Sequence, residues 1–213
     1  MTITHYSATE EQLHALSHGI GAVLSVIGLV LMLKVALPMN NNWYLASSLL
    51  YGVSLILLYS SSTLYHAISR AGIKRRLRQL DHAAIFILIA GTYTPFTLLN
   101  LRDNWGLPLF GLIWVVAVAG VIIELATGLK YKKLSLALYL GMGWLVIIAI
   151  EPMLNHVATT GLLLLLAGGL SYSVGVIFYA WKSLYLHHVI WHLFVLAGSL
   201  LHFFAVYLYA LQH

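Results

Sequence analysis

Two histidines in the last hydrophobic segment, His188 and His192, have a spacing suited to metal chemistry. They are four residues apart, so on a helix they lie one turn apart on the same face. Paired imidazoles at this spacing commonly offer two nitrogen ligands to one metal ion. Ser199 and His202 continue the same stripe along an otherwise apolar segment. We expect such a stripe to face protein or water rather than lipid.

The composition indicates the class of protein that must hold these residues. Of the 213 residues, 61% are hydrophobic and only 8% are charged. A soluble domain of this length has too little interior to bury that much apolar surface, so we predict an integral membrane protein. The chain has no cysteine, which excludes disulfides and thiolate metal sites.

Seven apolar segments are long enough to cross a bilayer as helices. Each is apolar nearly all round, which favours helices in lipid over barrel strands. We therefore predict an all-α membrane protein, a seven-transmembrane helix bundle that forms a single domain over residues 1–213. The predicted spans are about 19–37, 43–65, 83–101, 107–127, 134–150, 160–181 and 189–209.

Basic residues predict the orientation of these spans. Two basic residues, Lys34 and Arg102, lie on one side, and nine lie on the other: Arg70, Lys74, Arg75, Arg76, Arg78, Lys130, Lys132, Lys133 and Lys182. By the positive-inside rule the N-terminus is cytoplasmic and the C-terminus is outside. We expect the excess positive charge to meet anionic lipid headgroups, so it does not imply nucleic acid. No Lys or Arg precedes Lys34, so we expect the first span to be retained rather than cleaved as a signal peptide.

This topology brings polar residues from three spans to one level near the cytoplasmic surface. His66 ends the second span, with Ser62 one helical turn deeper on the same face. Asp81 opens the third span after a basic loop, and His188 and His192 open the seventh. All five residues are predicted to share one membrane level, although nothing in their spacing along the chain requires it.

The chemistry of this set favours a metal centre. Three neutral imidazoles suit Zn²⁺ and leave the fourth tetrahedral position for water, as in catalytic zinc sites. Zinc lowers the pKa of its water to about 7, which makes hydroxide available near neutral pH. Asp81 could orient that water or accept its proton, and Ser62 could bind a substrate carbonyl or the developing oxyanion. The ligand set fits magnesium and calcium poorly, and iron and copper remain open.

The combined motifs resemble those of the hemolysin III proteins, bacterial members of the progestin and adipoQ receptor (PAQR) family, within a superfamily that includes alkaline ceramidases. The motifs are Ser62-x-x-x-His66, Leu80-Asp81, and His188-x-x-x-His192 with His202 ten residues later, together with segments 17–21 and 90–96. The resemblance covers essentially the whole chain.

It implies a seven-helix fold with zinc held by His66, His188 and His192, Asp81 in the water shell and Ser62 nearby. It also implies an activity on lipid amides and a place in a bacterial plasma membrane. The eukaryotic receptors carry a long cytoplasmic N-terminal domain, whereas only a short segment precedes the predicted first span here. We therefore do not expect a protein-hormone receptor.

Other histidines have competing interpretations. His14 and His18 are also four residues apart and form a rival ligand pair, but they precede the predicted first span. His187 points about 100° away from the ligand pair on a helix and is expected to face headgroups. His202 lies about 15 Å beyond the pair along the helix, too far to bind the same ion.

The remaining polar candidates also have simpler roles. Ser62 could bond back to its own helix, as hydroxyls in membrane helices often do. Asp81 could be only the N-cap of the third span. Glu124 could extend towards Lys130 or contribute to a polar interior, and both interpretations stay open.

Three functional hypotheses follow, all with membrane lipids as the partner. The leading one is a zinc-dependent intramembrane hydrolase that cleaves a lipid amide or ester bond at the cytoplasmic leaflet and so influences lipid homeostasis. The alternative is a non-catalytic lipid or membrane-state sensor whose zinc only pins the spans together. A pore-forming hemolysin is disfavoured, because the chain has the character of a resident membrane protein.

Overall fold

A computed structural model describes residues 6–212, apart from the side chain of Asn104. Within that range all regular elements are helical. Seven helical segments of the described chain are long and apolar enough to cross a membrane. The prediction of an all-α membrane protein with seven spanning helices is therefore confirmed.

The first four spans are continuous helices. Helix α1 covers Ala8–Ala36 and α2 covers Asn42–Ala67. Helix α3 covers Ala71–Pro95 and continues as a π-helical segment to Asn100, and α4 covers Leu107–Thr127. Pro95 is the last residue of α3 and directly precedes the π-helical segment.

The fifth span is broken, whereas the last two are continuous. Helix α5 covers Lys132–Gly143, a 3-10 segment follows, and α6 covers Ile150–His156. Helix α7 covers Thr159–Ala180 and α8 covers His187–Tyr209.

Helix α1 begins at Ala8, well before the predicted start near residue 19. A capping box closes its N-terminus: Ser7 accepts from the Glu10 N–H, and the Glu10 carboxylate accepts from the Ser7 N–H. The polar residues of the first turns lower the hydropathy without interrupting the helix. His14 and His18 therefore lie inside α1, where both are buried.

Helix α3 also begins early and includes the basic segment that we expected to be a loop. Its N-cap is Arg70, so Asp81 lies well inside the helix. The alternative role of Asp81 as an N-cap is therefore wrong. Asp81 is half-buried at this position, facing the interior of the bundle.

Helix α1 packs against both helices that carry the predicted histidine ligands, α2 and α8. Close approach depends on small residues. Gly21 of α1 faces the ring of Tyr59 on α2, and Gly28 faces the ring of Phe203 on α8. Helix α2 also packs along α3, and α8 packs along α7. Side chains from α1, α2 and α8 consequently meet in the interior.

Tyr93 of α3 holds the break between α5 and α6. Its hydroxyl donates to the Met142 carbonyl at 2.8 Å and accepts from the Val146 N–H at 2.8 Å. We expect Tyr93→Phe to lower the free energy of unfolding by about 1–3 kcal/mol, because the Val146 N–H loses its partner. Thermal unfolding in detergent measures this, with the exposed Tyr185→Phe as the control. Equal stability of the two variants would contradict the role.

Candidate metal centre

The three histidines proposed as ligands lie together in the structure. His66 of α2 and His188 and His192 of α8 each place a ring nitrogen within 4.8 Å of the others. The ring centroids are 5.3 Å apart for His66 and His188 and 5.2 Å apart for His66 and His192. His66 and His192 are buried, and His188 is half-buried. The topology thus brings nitrogen donors from two helices to one point.

The positions of the nitrogen atoms fit a shared metal ion. The Nε2 atoms of His188 and His192 are 3.2 Å apart. Two ligands of a tetrahedral zinc ion, each at 2.0–2.1 Å, are separated by about 3.3 Å. The Nε2 of His66 is buried and has no hydrogen-bond partner in the described part of the chain. The residues therefore fit a transition-metal ion, and its binding and identity stay a prediction.

A cavity in the bundle contacts the ligand pair of α8 and both predicted catalytic residues. His188, His192, Asp81 and Ser62 all line it. Most of its remaining wall is apolar or aromatic and comes from α2, α3, α5, α7 and α8. Ser62 is buried, and its hydroxyl lies close enough to the Asp81 carboxylate to interact with it. Asp81 belongs to neither group of clustered ligand atoms within residues 6–212.

His14 joins the histidine cluster, contrary to the expectation that it precedes the membrane. Its side chain is 0% exposed, and neither ring nitrogen has a partner in the described chain. Its ring centroid is 4.5 Å from that of His66, 4.8 Å from His188 and 5.3 Å from His192. His18 stacks on the ring of His192 at 3.5 Å.

The sequence carried one signal that could have predicted this arrangement. The capping box of Ser7 and Glu10 places the start of α1 about two helical turns before His14. Hydropathy alone begins the span later, because the first turns contain two glutamates and two histidines.

Glu11 of α1 is a further participant to which sequence analysis assigned no role. Its Oε2 atom is 2.7 Å from Nδ1 of His66, and its Oε1 atom is 3.0 Å from Nζ of Lys74. Lys74 also donates to the Tyr65 carbonyl at 2.9 Å. Glu11, His14 and His66 form a second group of clustered ligand atoms.

Tyr6 covers the cluster immediately before α1. Its ring centroid is 4.7 Å from that of His14 and 5.3 Å from that of His188, with which it stacks. Burial raises the pKa of the Tyr6 phenol above its usual value, so the ring stays neutral near physiological pH. The Tyr6 ring thus lies directly against two of the clustered histidines.

The other singled-out residues lie apart from the ligand nitrogens. His187 is buried, so the expectation that it faces headgroups is wrong. His202 places Nε2 3.0 Å from the Leu165 carbonyl of α7, as expected for a residue too far along α8 to bind the ion. Glu124 is buried and accepts from the Tyr139 hydroxyl at 3.4 Å, so it belongs to the polar interior.

These features define a polytopic membrane protein with a histidine-rich candidate metal centre beside an apolar cavity. The family model described as haemolysin-III related matches residues 6–203, and the chain belongs to this family. The resemblance inferred from the motifs is thus confirmed.

The chain is similar to hemolysin-3 of Bacillus cereus, with 44% identity over 202 residues, 95% of this chain and 92% of the relative. It is 42% identical to the hemolysin-3 homolog of Bacillus subtilis (strain 168), covering 97% of both chains. A PAQR-type relative, the monocyte to macrophage differentiation factor of Homo sapiens, is 30% identical over 210 residues, 94% of this chain and 84% of the relative.

Proposed function

We propose that this protein is a zinc-dependent intramembrane hydrolase that cleaves an amide or ester bond of a membrane lipid. The observation that carries the proposal is that Asp81, Ser62, His188 and His192 line the same cavity. With the N-terminus in the cytoplasm, as the basic residues predict, the reaction takes place near the inner leaflet of the plasma membrane. Its consequence would be an influence on lipid composition.

The shape and lining of the cavity suit an acyl chain. The cavity has a volume of about 160 Å³, on the order of ten times what one water molecule needs. Most of the exposed wall is apolar and favours hydrocarbon, and Asp81, Ser62, His188 and His192 contribute polar groups to it. A lipid whose chain fills the cavity would therefore present its amide or ester carbonyl to Asp81 and Ser62.

The three histidines, Asp81 and Ser62 have different roles in the proposed hydrolysis. His66, His188 and His192 would hold the ion, which activates a water molecule and polarises the lipid carbonyl when bound. The carboxylate of Asp81 accepts a proton from the attacking water and returns it to the leaving group. The hydroxyl of Ser62, which lines the same cavity, donates a hydrogen bond to the oxygen that becomes negative.

The test is product release from lipid amides and esters by purified, zinc-loaded protein. We expect Asp81→Asn to lower the rate by about 10²–10⁴-fold, the usual contribution of a general acid or base. Asp103→Asn is the matched control, because Asp103 is exposed and lies outside the cavity. Hydrolysis that persists at the wild-type rate in Asp81→Asn or His188→Ala would refute the mechanism.

A second candidate, a lipid sensor with a structural metal, is favoured by the position of His14. Its buried ring fills space beside the three ligand rings, where a catalytic water would need room. A metal joining α2 to α8 would stabilise the bundle without turnover. This function predicts that zinc-loaded protein binds lipid and releases no product from any lipid tested, and that removing zinc lowers the unfolding temperature.

A further inference from the structure

A neutral imidazole offers a metal only the ring nitrogen that carries no proton. Which nitrogen that is depends on the hydrogen bond made by the other one, so groups behind a histidine set both its tautomer and its orientation. In this protein, two of the three candidate ligands have a hydrogen-bond partner on α1 at the nitrogen that would not bind the metal.

Ser17 sets the tautomer of His192. The Ser17 hydroxyl is 2.9 Å from the His14 carbonyl and 3.1 Å from Nδ1 of His192. A carbonyl can only accept, so the single hydroxyl proton goes to His14 and the serine oxygen accepts from Nδ1–H of His192. The lone pair of His192 is then on Nε2, the atom that lies 3.2 Å from Nε2 of His188.

Glu11 sets the tautomer of His66. Its Oε2 atom lies 2.7 Å from Nδ1 of His66, and a carboxylate oxygen accepts the proton of that nitrogen. The lone pair of His66 is therefore on Nε2, which is buried and unpartnered. A carboxylate behind a ligand histidine also raises the basicity of the ligand nitrogen.

Lys74 of α3 holds Glu11 in this position. Its ammonium group is 3.0 Å from Oε1 of Glu11 and 2.9 Å from the Tyr65 carbonyl. The Lys74 side chain is largely buried, so the ion pair is more rigid than one at an exposed surface. The two oxygens of Glu11 thus have separate partners, one on α2 and one on α3.

We propose that α1 carries the positioning residues of the metal centre, with Glu11 orienting His66 and Ser17 orienting His192. The proposal rests on the ligand assignment of the proposed function and is independent of whether the protein hydrolyses a lipid. It competes with one other arrangement, in which Glu11, His14 and His66 bind a second ion themselves.

The test is zinc affinity, measured with full-length protein in detergent by competition with a chelator and without any lipid substrate. Glu11→Ala and Ser17→Ala are each expected to weaken binding by about 10–100-fold, the usual cost of losing a group behind a ligand. Glu11→Gln and Ser17→Thr keep an acceptor oxygen and are expected to lose less.

The chain offers matched controls for both variants. Glu10→Ala removes the neighbouring carboxylate, which is occupied with Ser7. Ser25→Ala removes another buried hydroxyl of α1, which bonds only within its own helix to the Gly21 carbonyl. Both controls are expected to keep wild-type zinc affinity. The visible absorption of bound Co²⁺ gives a second readout, since altered ligand orientation changes its spectrum and a merely structural role does not.

Each outcome decides the proposal. Wild-type affinity and an unchanged Co²⁺ spectrum in Glu11→Ala and Ser17→Ala would overturn it, as would equal losses in the two controls. About two zinc ions per chain in the wild type, falling to one in Glu11→Ala, would replace it with the second-ion arrangement. A wild type that binds no metal would overturn the ligand assignment itself, whereas absent hydrolysis alone would count only against the proposed enzyme.

Discussion

The substitutions His66→Ala and His188→Ala are each expected to reduce the bound metal from about one equivalent per chain to nearly none. Each residue contributes one of the three imidazole nitrogens that lie within 4.8 Å of one another, and these residues come from separate helices. With one ligand missing, the two remaining neutral imidazoles leave half of a tetrahedral coordination sphere to water, so the affinity falls steeply. Elemental analysis of protein purified in detergent measures the metal content.

His202→Ala is the matched control for these variants. It removes a histidine of the same helix as His188, but one whose Nε2 bonds to the Leu165 carbonyl. We expect this variant to keep its metal. Full metal content in both His66→Ala and His188→Ala would contradict the centre, and loss in His66→Ala and His14→Ala alone would point to the group formed by Glu11, His14 and His66.

The substitution Gly91→Leu is expected to prevent α2 and α3 from packing closely against each other. A Cβ atom at Gly91 would overlap the side chain of Ser54 and would lie 3.2 Å from the Leu50 carbonyl, which is backbone and cannot turn away. Overpacking of this kind costs about 1–3 kcal/mol or more, and a whole leucine side chain lies at the upper end. The measurement is the unfolding temperature in detergent, together with the yield of folded protein.

The same substitution at Gly141 is the control. Apart from its own helix backbone, no atom of the described residues lies within 4 Å of a Cβ atom at Gly141, which is exposed on α5 and is expected to face lipid. Gly141→Leu should fold at least as well as the wild type, because leucine favours helix over glycine. If Gly91→Leu proved as stable as Gly141→Leu, the close contact between α2 and α3 would be wrong. That contact also matters for the site, since α2 carries His66 and α3 carries Asp81.

The general architecture could be predicted from local features of the sequence. Apolar segments of bilayer length predict seven helices whatever their neighbours, because each helix satisfies its own backbone hydrogen bonds in lipid. The spacing of His188 and His192 predicts two nitrogens on one face of α8, since helical periodicity is local too. Topology then predicts that His66 and Asp81 reach the same level. These predictions require no knowledge of how the helices pack.

The contribution of α1 depends on tertiary packing. Nothing in the sequence around Glu11, His14 and Ser17 states that α1 packs against both α2 and α8, yet that packing brings them to His66 and His192. The cavity has the same origin, because its walls belong to helices far apart in the chain.

The sequence by itself therefore determined the membrane class, the helix count and the candidate ligands, which depend on periodicity and hydropathy within single segments. The tertiary structure alone decided which groups hydrogen-bond to those ligands and which cavity adjoins them. The physical reason is that a hydrogen bond or a cavity wall is set by the distance between two helices, and no single segment encodes that distance.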